Sequence, residues 1–310
     1  MREVSLTLIV AGAFALVPAG SWAQQVQMPT FKSSAAVVAV TAAVRRQNGE
    51  AVTTLTADDF EILDNGVPRP ISNFWAESSP ASLVILFDRS GSMRVGGKAE
   101  AAREVARHMV AWLTPGVDQV ALLGFDKEVA RLQDFAPAPG NVLADIDRIE
   151  SFGQTSLNDA VAIAADEVSD KRTRRAVVVL TDGQDTSSRM TPDAVARFAA
   201  EIDVPVYVLV SQVDVERATG RSVAPGLTEL AQRTGGQVWV VTTPAETSMA
   251  TRTIASDLHH QYLLAFQSDG KAGWHALEVR VKKQQKLVVR ARTGYDAGRT
   301  HQEAGSCARH

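Results

Sequence analysis

Between Ser82 and His260, short all-apolar runs alternate with stretches of helical period, and this alternation restricts the fold more than any other feature of the chain. The runs are 83–87 (LVILF), 120–125 (VALLGF), 176–180 (AVVVL), 206–210 (VYVLV) and 238–241 (VWVV). Runs without a polar alternate position suit strands covered on both faces. Between 98 and 113, Ala102, Val105, Ala106, Met109, Trp112 and Leu113 recur at helical spacing; between 157 and 168, Leu157, Ala160, Val161, Ala164, Ala165 and Val168 do so. Thr191-Pro192-Asp193 opens another helix with a capping hydroxyl and a proline in its first turn. Gly235-Gly236 closes the helix from 227 to 234, and a last helical stretch runs from 245 to 260. Strands alternating with helices predict a doubly wound, mainly parallel α/β sheet over residues 82–260.

The flanks have a different texture. Residues 35–81 carry short strand-like runs (36–43, 60–63, 71–75) separated by turn signals, with Asn65-Gly66 as a hairpin cue. Residues 261–297 return to that texture at 262–267, 276–281 and 286–292. Neither piece has enough apolar surface to fold alone. The two are expected to pair into one small β-sandwich-like domain, with the α/β domain inserted between them. The final polar segment, 298–310, reads as a disordered tail. Residues 1–23 place one arginine before an apolar run that ends in small residues, the pattern of a secretory signal peptide cut after Ala23. The run is shorter than the ~20 residues a membrane span needs, and no later stretch is long and apolar enough. The expectation is a secreted or periplasmic protein of a bacterial envelope, with no transmembrane segment once the signal is removed.

Composition closes several routes. With 32 Lys+Arg against 35 Asp+Glu, a broad basic surface for nucleic acid is not expected. The only cysteine, Cys307, lies in the polar tail, so neither an intrachain disulfide nor a thiolate metal cluster is available.

The chemistry gathers at two strand ends. The run 83–87 leads directly into Asp88-Arg89-Ser90-Gly91-Ser92, and 176–180 leads into Thr181-Asp182-Gly183. Counting a weak strand at 131–135, these are the first and fourth strands of the α/β domain, which are neighbours in a doubly wound sheet. The crevice at their carboxyl ends is where such sheets bind ligands. Gly153-Gln154-Thr155-Ser156 precedes the helix leading to the fourth strand and can reach the same rim. The inventory is oxygen alone, which selects a hard divalent cation over zinc or copper. Two carboxylates with neutral hydroxyls suit Mg²⁺, with Ca²⁺ or Mn²⁺ as alternatives. If the hydroxyls contact the ion and the carboxylates act through water, it stays electrophilic, and an open position favours an external carboxylate. The helix beginning near Lys98 aims its positive end at the rim.

The set Asp88-x-Ser90-x-Ser92, Thr155 and Asp182 (within Leu180-Thr181-Asp182-Gly183) resembles the metal-ion-dependent adhesion site (MIDAS) of the von Willebrand factor type A (VWA) domain, a Rossmann-like fold. The resemblance implies Ser90, Ser92 and Thr155 as direct or near-direct ligands, and Asp88 and Asp182 as ligands acting partly through water. The flanking segments 54–60 (TLTADDF), 64–66, 71–74, 261–264 (QYLL) and 293–295 (TGY) are similar to the entry and exit segments of the VWFA-related domain family of secreted bacterial proteins. The resemblance implies a non-enzymatic, adhesion-like protein whose Mg²⁺-type cation bridges to an Asp or Glu of a protein partner.

Other classes fit less well. A structural scaffold with a vacant or purely stabilising site is the main alternative. A haloacid-dehalogenase-like phosphatase would use Asp88 as nucleophile, but its general acid two residues on is Ser90 here. The phosphate loop suggested by Gly91…Gly96-Gly97-Lys98 is one residue too long and ends in Ala99. Asp126 and Asp185 lie beside the rim and are left out of the ligand set. Trp239 and Trp274 read as packing residues, His259 and His260 as helix-end residues, and Lys171–Arg175 as a solvated approach to a strand.

Overall fold

The computed structural model describes residues 37–76, 78–211, 223–282 and 286–297. The signal-peptide segment 1–23, the tail 298–310 and Cys307 lie outside the described residues. Four strands come first: β1 (Val37–Arg46), β2 (Phe60–Asp64), β3 (Val67–Arg69) and β4 (Ile71–Trp75). The central unit follows as β5 (Ala81–Asp88), α1 (Lys98–Ala111), β6 (Gln119–Phe125), β7 (Val129–Pro137), α2 (Val142–Asp147), α3 (Leu157–Ser169) and β8 (Arg174–Thr181). It continues with α4 (Pro192–Glu201), β9 (Val206–Ser211), α5 (Pro225–Thr234), β10 (Val238–Val241) and α6 (Pro244–His259). The chain closes with β11 (Gln261–Gln267), β12 (Gly273–Val281), β13 (Leu287–Ala291) and β14 (Gly294–Ala297).

The central sheet has the order β10-β9-β8-β5-β6-β7, parallel except for β7, which runs antiparallel to β6 along one edge. All eight residues of β5 are buried, and successive side chains serve opposite layers. Leu83, Ile85 and Phe87 pack with Val105 and Met109 of α1, Ile146 of α2 and Ile254 of α6. Val84 and Leu86 pack with Val161 of α3, Val195 of α4 and Leu230 of α5. Burial on both faces is why this strand is apolar at every position from 83 to 87. The helix before β9 opens as its sequence dictates: Thr191 Oγ1 accepts from Ala194 N at 3.2 Å, with Pro192 at the first turn.

The two ends of the chain build the β-sandwich. One sheet has the order β13-β1-β11-β4 and the other β14-β12-β2-β3, so each mixes strands from before and after the central unit. Val40, Phe60, Ile62, Tyr262, Phe266 and Leu277 form their shared core. Tyr262 anchors the entry loop, its hydroxyl donating to Val52 O at 2.7 Å and accepting from Leu55 N at 3.2 Å. Asn65 (φ 50°) and Gly66 (φ 78°) make the tight turn between β2 and β3, a left-handed pair that the Asn-Gly sequence accommodates.

Within the basic stretch 171–175, Arg172 is exposed as the solvated reading expects, but Arg174 departs from it. Arg174 is buried and donates through a terminal guanidinium nitrogen to Gln261 O at 2.7 Å, and Arg175 reaches Ser169 O. Gln261 begins β11 of the sandwich, so the Arg174 side chain spans the join between the two units.

Candidate metal centre

Strands β5 and β8 pair in parallel, with Phe87 opposite Leu180, so Asp88 and Asp182 leave the sheet at the same end. The buried Asp88 carboxylate is fixed on both oxygens. Oδ1 accepts from Ser90 N at 2.8 Å and Oδ2 from Thr181 Oγ1 at 2.6 Å. Burial pushes this carboxyl up to about 6, opposed by the hydrogen bonds from Thr181 and Ser90, with the nearby Asp182 charge pushing the same way as burial. The Ser90 backbone is extended and the chain then turns at Gly91, which brings the Ser90 and Ser92 hydroxyl oxygens to 3.0 Å of each other.

Hydrogen bonds lock three loops around these groups. Gly91 N donates to Gly153 O at 3.0 Å, and Phe152 N to Arg89 O at 2.6 Å, joining the loop after β5 to the one before α3. Thr155 O accepts from Thr186 N and Ser187 N at 2.9 and 3.0 Å, while Thr155 N donates to Thr186 Oγ1 at 3.0 Å. The loop before α3 is thereby joined to the one after β8. All five expected positions, Asp88, Ser90, Ser92, Thr155 and Asp182, thus lie in loops at the carboxyl end of the parallel strands. All but Ser92 are buried, and Ser92 is half-buried.

Asp182 has the most unusual surroundings of the five. Its Oδ2 is 3.0 Å from the ammonium of Lys98, whose side chain is 4% exposed; its Oδ1 is buried without a hydrogen-bond partner. A buried carboxylate oxygen in that condition is costly unless a cation or donor reaches it. With the paired hydroxyls of Ser90 and Ser92 and an all-oxygen donor set, the residues fit a hard divalent cation.

Three residues that the sequence reading gave no role in the centre support it. Thr181 orients Asp88, Lys98 pairs with Asp182, and Arg89 pairs with Asp126 at 2.9 Å. Lys98 had a sequence signal, as the lysine that ends the near phosphate-loop pattern. Asp126 and Asp185, set aside as ligands, are occupied by the protein's own donors. Asp126 also accepts from Glu128 N, and Asp185 accepts from Asn158 N at 3.0 Å and Ser188 N at 3.0 Å.

A second group with ligand chemistry lies in the sandwich: Asp64, Asp269 and His275, whose candidate ligand atoms fall within 4.8 Å of one another. His275 Nδ1 is 2.7 Å from Asp64 Oδ1 and its Nε2 is 2.8 Å from Lys271 O. Both ring nitrogens therefore face acceptors, and Arg69 bridges Asp64 and Asp269 at 3.2 and 3.4 Å. The arrangement is an internal hydrogen-bond and ion-pair network in which Arg69 and the ring of His275 share the two carboxylates.

A doubly wound α/β unit with a hydroxyl-and-carboxylate crevice at its switch point defines the class: a Rossmann-like domain. Residues 83–184 match the family model described as von Willebrand factor type A domain, and the mostly parallel central sheet with its flanking helices matches that fold. Domains of this family generally serve protein interaction. Among solved structures, proximal thread matrix protein 1 from the mussel byssus is 15% identical, with a TM-score of 0.50 over 63% of this chain and 51% of that one. A von Willebrand factor type A protein from Catenulispora acidiphila is 17% identical, with a TM-score of 0.48 over 77% and 72%. The conserved hypothetical protein BatB from Bacteroides thetaiotaomicron is 17% identical, with a TM-score of 0.47 over 57% of this chain and 98% of that one. The likeness to the mussel protein, at 15% identity, bears on fold alone. No curated protein matches the chain in sequence. No helix among the described residues is long and apolar enough to cross a membrane.

Proposed function

We propose that the chain is an exported, non-catalytic binding protein whose Asp88, Ser90, Ser92, Thr155 and Asp182 hold a divalent cation, Mg²⁺ first, with Ca²⁺ or Mn²⁺ as alternatives. When bound, the ion supplies a hard, electrophilic contact for an Asp or Glu carboxylate of a protein partner. The observation that carries this reading is the buried, unpartnered Asp182 Oδ1 at the same end of the sheet as the paired Ser90 and Ser92 hydroxyls. The protein's own part is positional. Thr181 and the Ser90 N–H hold the Asp88 carboxylate still, and the backbone of Thr155 clamps two rim loops together.

Thermal melting in EDTA against Mg²⁺ tests occupancy. A ligand at a hundredfold excess over Kd adds about 2.7 kcal/mol to stability, a rise of several degrees. Equal melting temperatures in the two buffers would reject the metal. Pull-down of an envelope partner that is lost in EDTA, and reduced by adding free glutamate, would support the carboxylate bridge.

One observation favours a second reading. The Lys98 ammonium already balances Asp182, as a structural scaffold without a metal would need. The melting experiment separates the two. For the phosphatase rival, the Ser90 hydroxyl occupies the position of the general acid and is engaged with Ser92. Hydrolysis of a generic phosphomonoester is expected to stay at the buffer rate.

A further inference from the structure

Two of the loops that carry candidate ligands also carry exposed apolar side chains. Val95, in the loop of Ser90 and Ser92, is 64% exposed, and Phe152, in the loop of Thr155, is 53% exposed. The Phe152 backbone is fixed: its N–H donates to Arg89 O at 2.6 Å, and the next residue's carbonyl, Gly153 O, accepts from Gly91 N at 3.0 Å. The Arg89 guanidinium lies over the Phe152 ring, 5.8 Å from its centroid, and is itself held by Asp126 at 2.9 Å. The ring thus has a set place beside the candidate centre while about half of it meets water. Scattered exposed apolar side chains are ordinary, but one fixed in place along a groove points to a contact surface.

The groove has a volume of about 300 Å³, and its apolar lining is Leu132 of β7, Ile149 and Phe152. Arg89 also lines it and stands between Asp88 and Ser90 in the chain, so groove and centre adjoin. Its charges are mostly engaged within the fold, Arg89 with Asp126 and Arg148 with Asp145 at 3.4 Å. Glu150 is the lining charge left outside an ion pair among the described residues. The volume is at the small end of ligand sites, about 300–1,000 Å³, and suits one side chain better than a whole small molecule. A second carboxylate would meet Glu150 there, so the groove favours an uncharged apolar occupant. An acid is drawn to the centre instead, where Arg94, exposed and outside any ion pair among the described residues, follows Ser92 in the same loop.

We propose that the groove beside Phe152 is a side-chain subsite of the candidate centre, and that the protein partner presents a bulky apolar residue next to the Asp or Glu that meets the cation. The inference rests on the metal-bridge reading and narrows it from any acidic partner to one carrying an acid–apolar pair. Aromatic anchors fixed before binding lose little freedom on contact, which is why such residues dominate interfaces. The loop bonds at 152 use the backbone, so Phe152→Ser removes the wall of the groove and spares the ties that hold the rim.

Two blocked pentapeptides test this against the full chain in Mg²⁺, one with phenylalanine on each side of a central aspartate and one with glycine there, each titrated by ligand-observed NMR. The phenylalanine peptide is expected to bind the wild-type chain about tenfold tighter, the gain from burying one apolar side chain. Phe152→Ser is expected to bind both peptides alike, at the strength the wild-type chain shows for the glycine peptide. Equal binding of the two by the wild-type chain, a comparison that does not depend on the variant folding, overturns the subsite and leaves the metal bridge standing. So does a preference that survives in Phe152→Ser. A lysine-flanked peptide that binds tighter than the phenylalanine one would give the groove to a basic side chain facing Glu150, and a wild-type dimer in sedimentation that Phe152→Ser abolishes would give it to a second copy; either result overturns the proposal. If neither peptide binds, or EDTA leaves the binding of both unchanged, the metal-bridge reading fails and the inference falls with it.

Discussion

Arg45 and Asp257 meet at 2.6 Å across the join between the β-sandwich and the last helix of the α/β unit, and both side chains are buried. Arg45 belongs to β1 and Asp257 to α6, so residues 212 apart in sequence fix one unit against the other. Arg290 of β13 takes the second Asp257 oxygen at 3.0 Å, which makes the carboxylate a shared anchor for two strands of the sandwich. Asp257→Ala leaves the Arg45 cation buried without its partner. Breaking a buried pair from one side costs about 3–5 kcal/mol. Urea unfolding at neutral pH is the measurement, and a loss below about 1 kcal/mol would show the join to be held by apolar contact instead.

A pH response follows from a neighbouring pair. Asp118 is buried. Its Oδ1 accepts from Ala81 N at 2.8 Å, and its Oδ2 accepts from Thr114 N at 2.6 Å and lies 2.8 Å from His259 Nε2. The bond to Asp118 holds the His259 imidazole above its ordinary value. Burial pushes the Asp118 carboxyl up, but His259 and the two N–H donors outweigh it and leave it lowered. A raised histidine contributes stability that is complete below its unfolded pKa, about 6.5, and is lost as pH climbs through the folded value. A lowered aspartate contributes stability present above about 3.9 and lost as pH falls through its folded value. His275, also raised although burial opposes its bonds to Lys271 and Asp64, adds to the alkaline loss. The contribution of the His259–Asp118 pair, read as the difference in urea midpoint between the wild-type chain and His259→Gln, is thus expected to be largest between about pH 4.5 and 6.5 and to decline above. His259→Gln should flatten part of the alkaline decline, and an unchanged profile would remove the pair as its cause.

Close backbone packing yields a steric expectation. A Cβ on Gly236 would sit 2.0 Å from the carbonyl oxygen of Val206 and 2.6 Å from its carbon, both rigid parts of β9. No rotamer relieves a clash between backbones. Gly236→Ala is expected to destabilise by at least about 3 kcal/mol, at or beyond the usual upper range for overpacking. The exposed Gly116, with nothing within 4 Å of its Cβ position, is the control for general glycine effects, although its φ of 73° carries a local strain of its own. A thermal shift no larger for Gly236→Ala than for Gly116→Ala would contradict the packing.

What could be read from the chain depended on whether the cause was local. The central strands 83–87 and 176–180 were legible because burial on both faces removes every polar position, and Thr191-Pro192 marks a helix start by its own chemistry. The short α2 was not legible, since six residues bury only Val142 and Ile146, too few for a periodic signal. The edge strands β3 and β14 also escaped, being three and four residues long, β3 with Pro68 at its centre. The five candidate ligands were visible because strand order alone brings Asp88 and Asp182 together. Lys98 was seen only as a failed phosphate-loop lysine, because its contact with Asp182 spans 84 positions and depends on where α1 begins. The burial of Arg174 has the same origin: the sandwich that covers it is assembled from both ends of the chain.

Thr155 offers the cleanest separation between holding the rim and holding an ion. Its ties to the loop after β8 run through the backbone, N–H to Thr186 Oγ1 and carbonyl from Thr186 N and Ser187 N, and none of them uses its own hydroxyl. Thr155→Ala therefore removes an oxygen from the candidate centre while sparing the clamp. In EDTA the variant is expected to melt within about 1 kcal/mol of wild type, the usual cost of a small change that breaks no structural bond. In Mg²⁺ the wild-type chain should gain stability and the variant should gain much less. The alanine leaves Asp88, Ser90, Ser92 and Asp182 in place, so a residual gain at high Mg²⁺ is consistent with weakened binding. An identical Mg²⁺ response in both proteins would take Thr155 out of the ligand set. A large loss in EDTA would instead give its hydroxyl a structural role, since the apo fold would then depend on an atom that no loop bond requires.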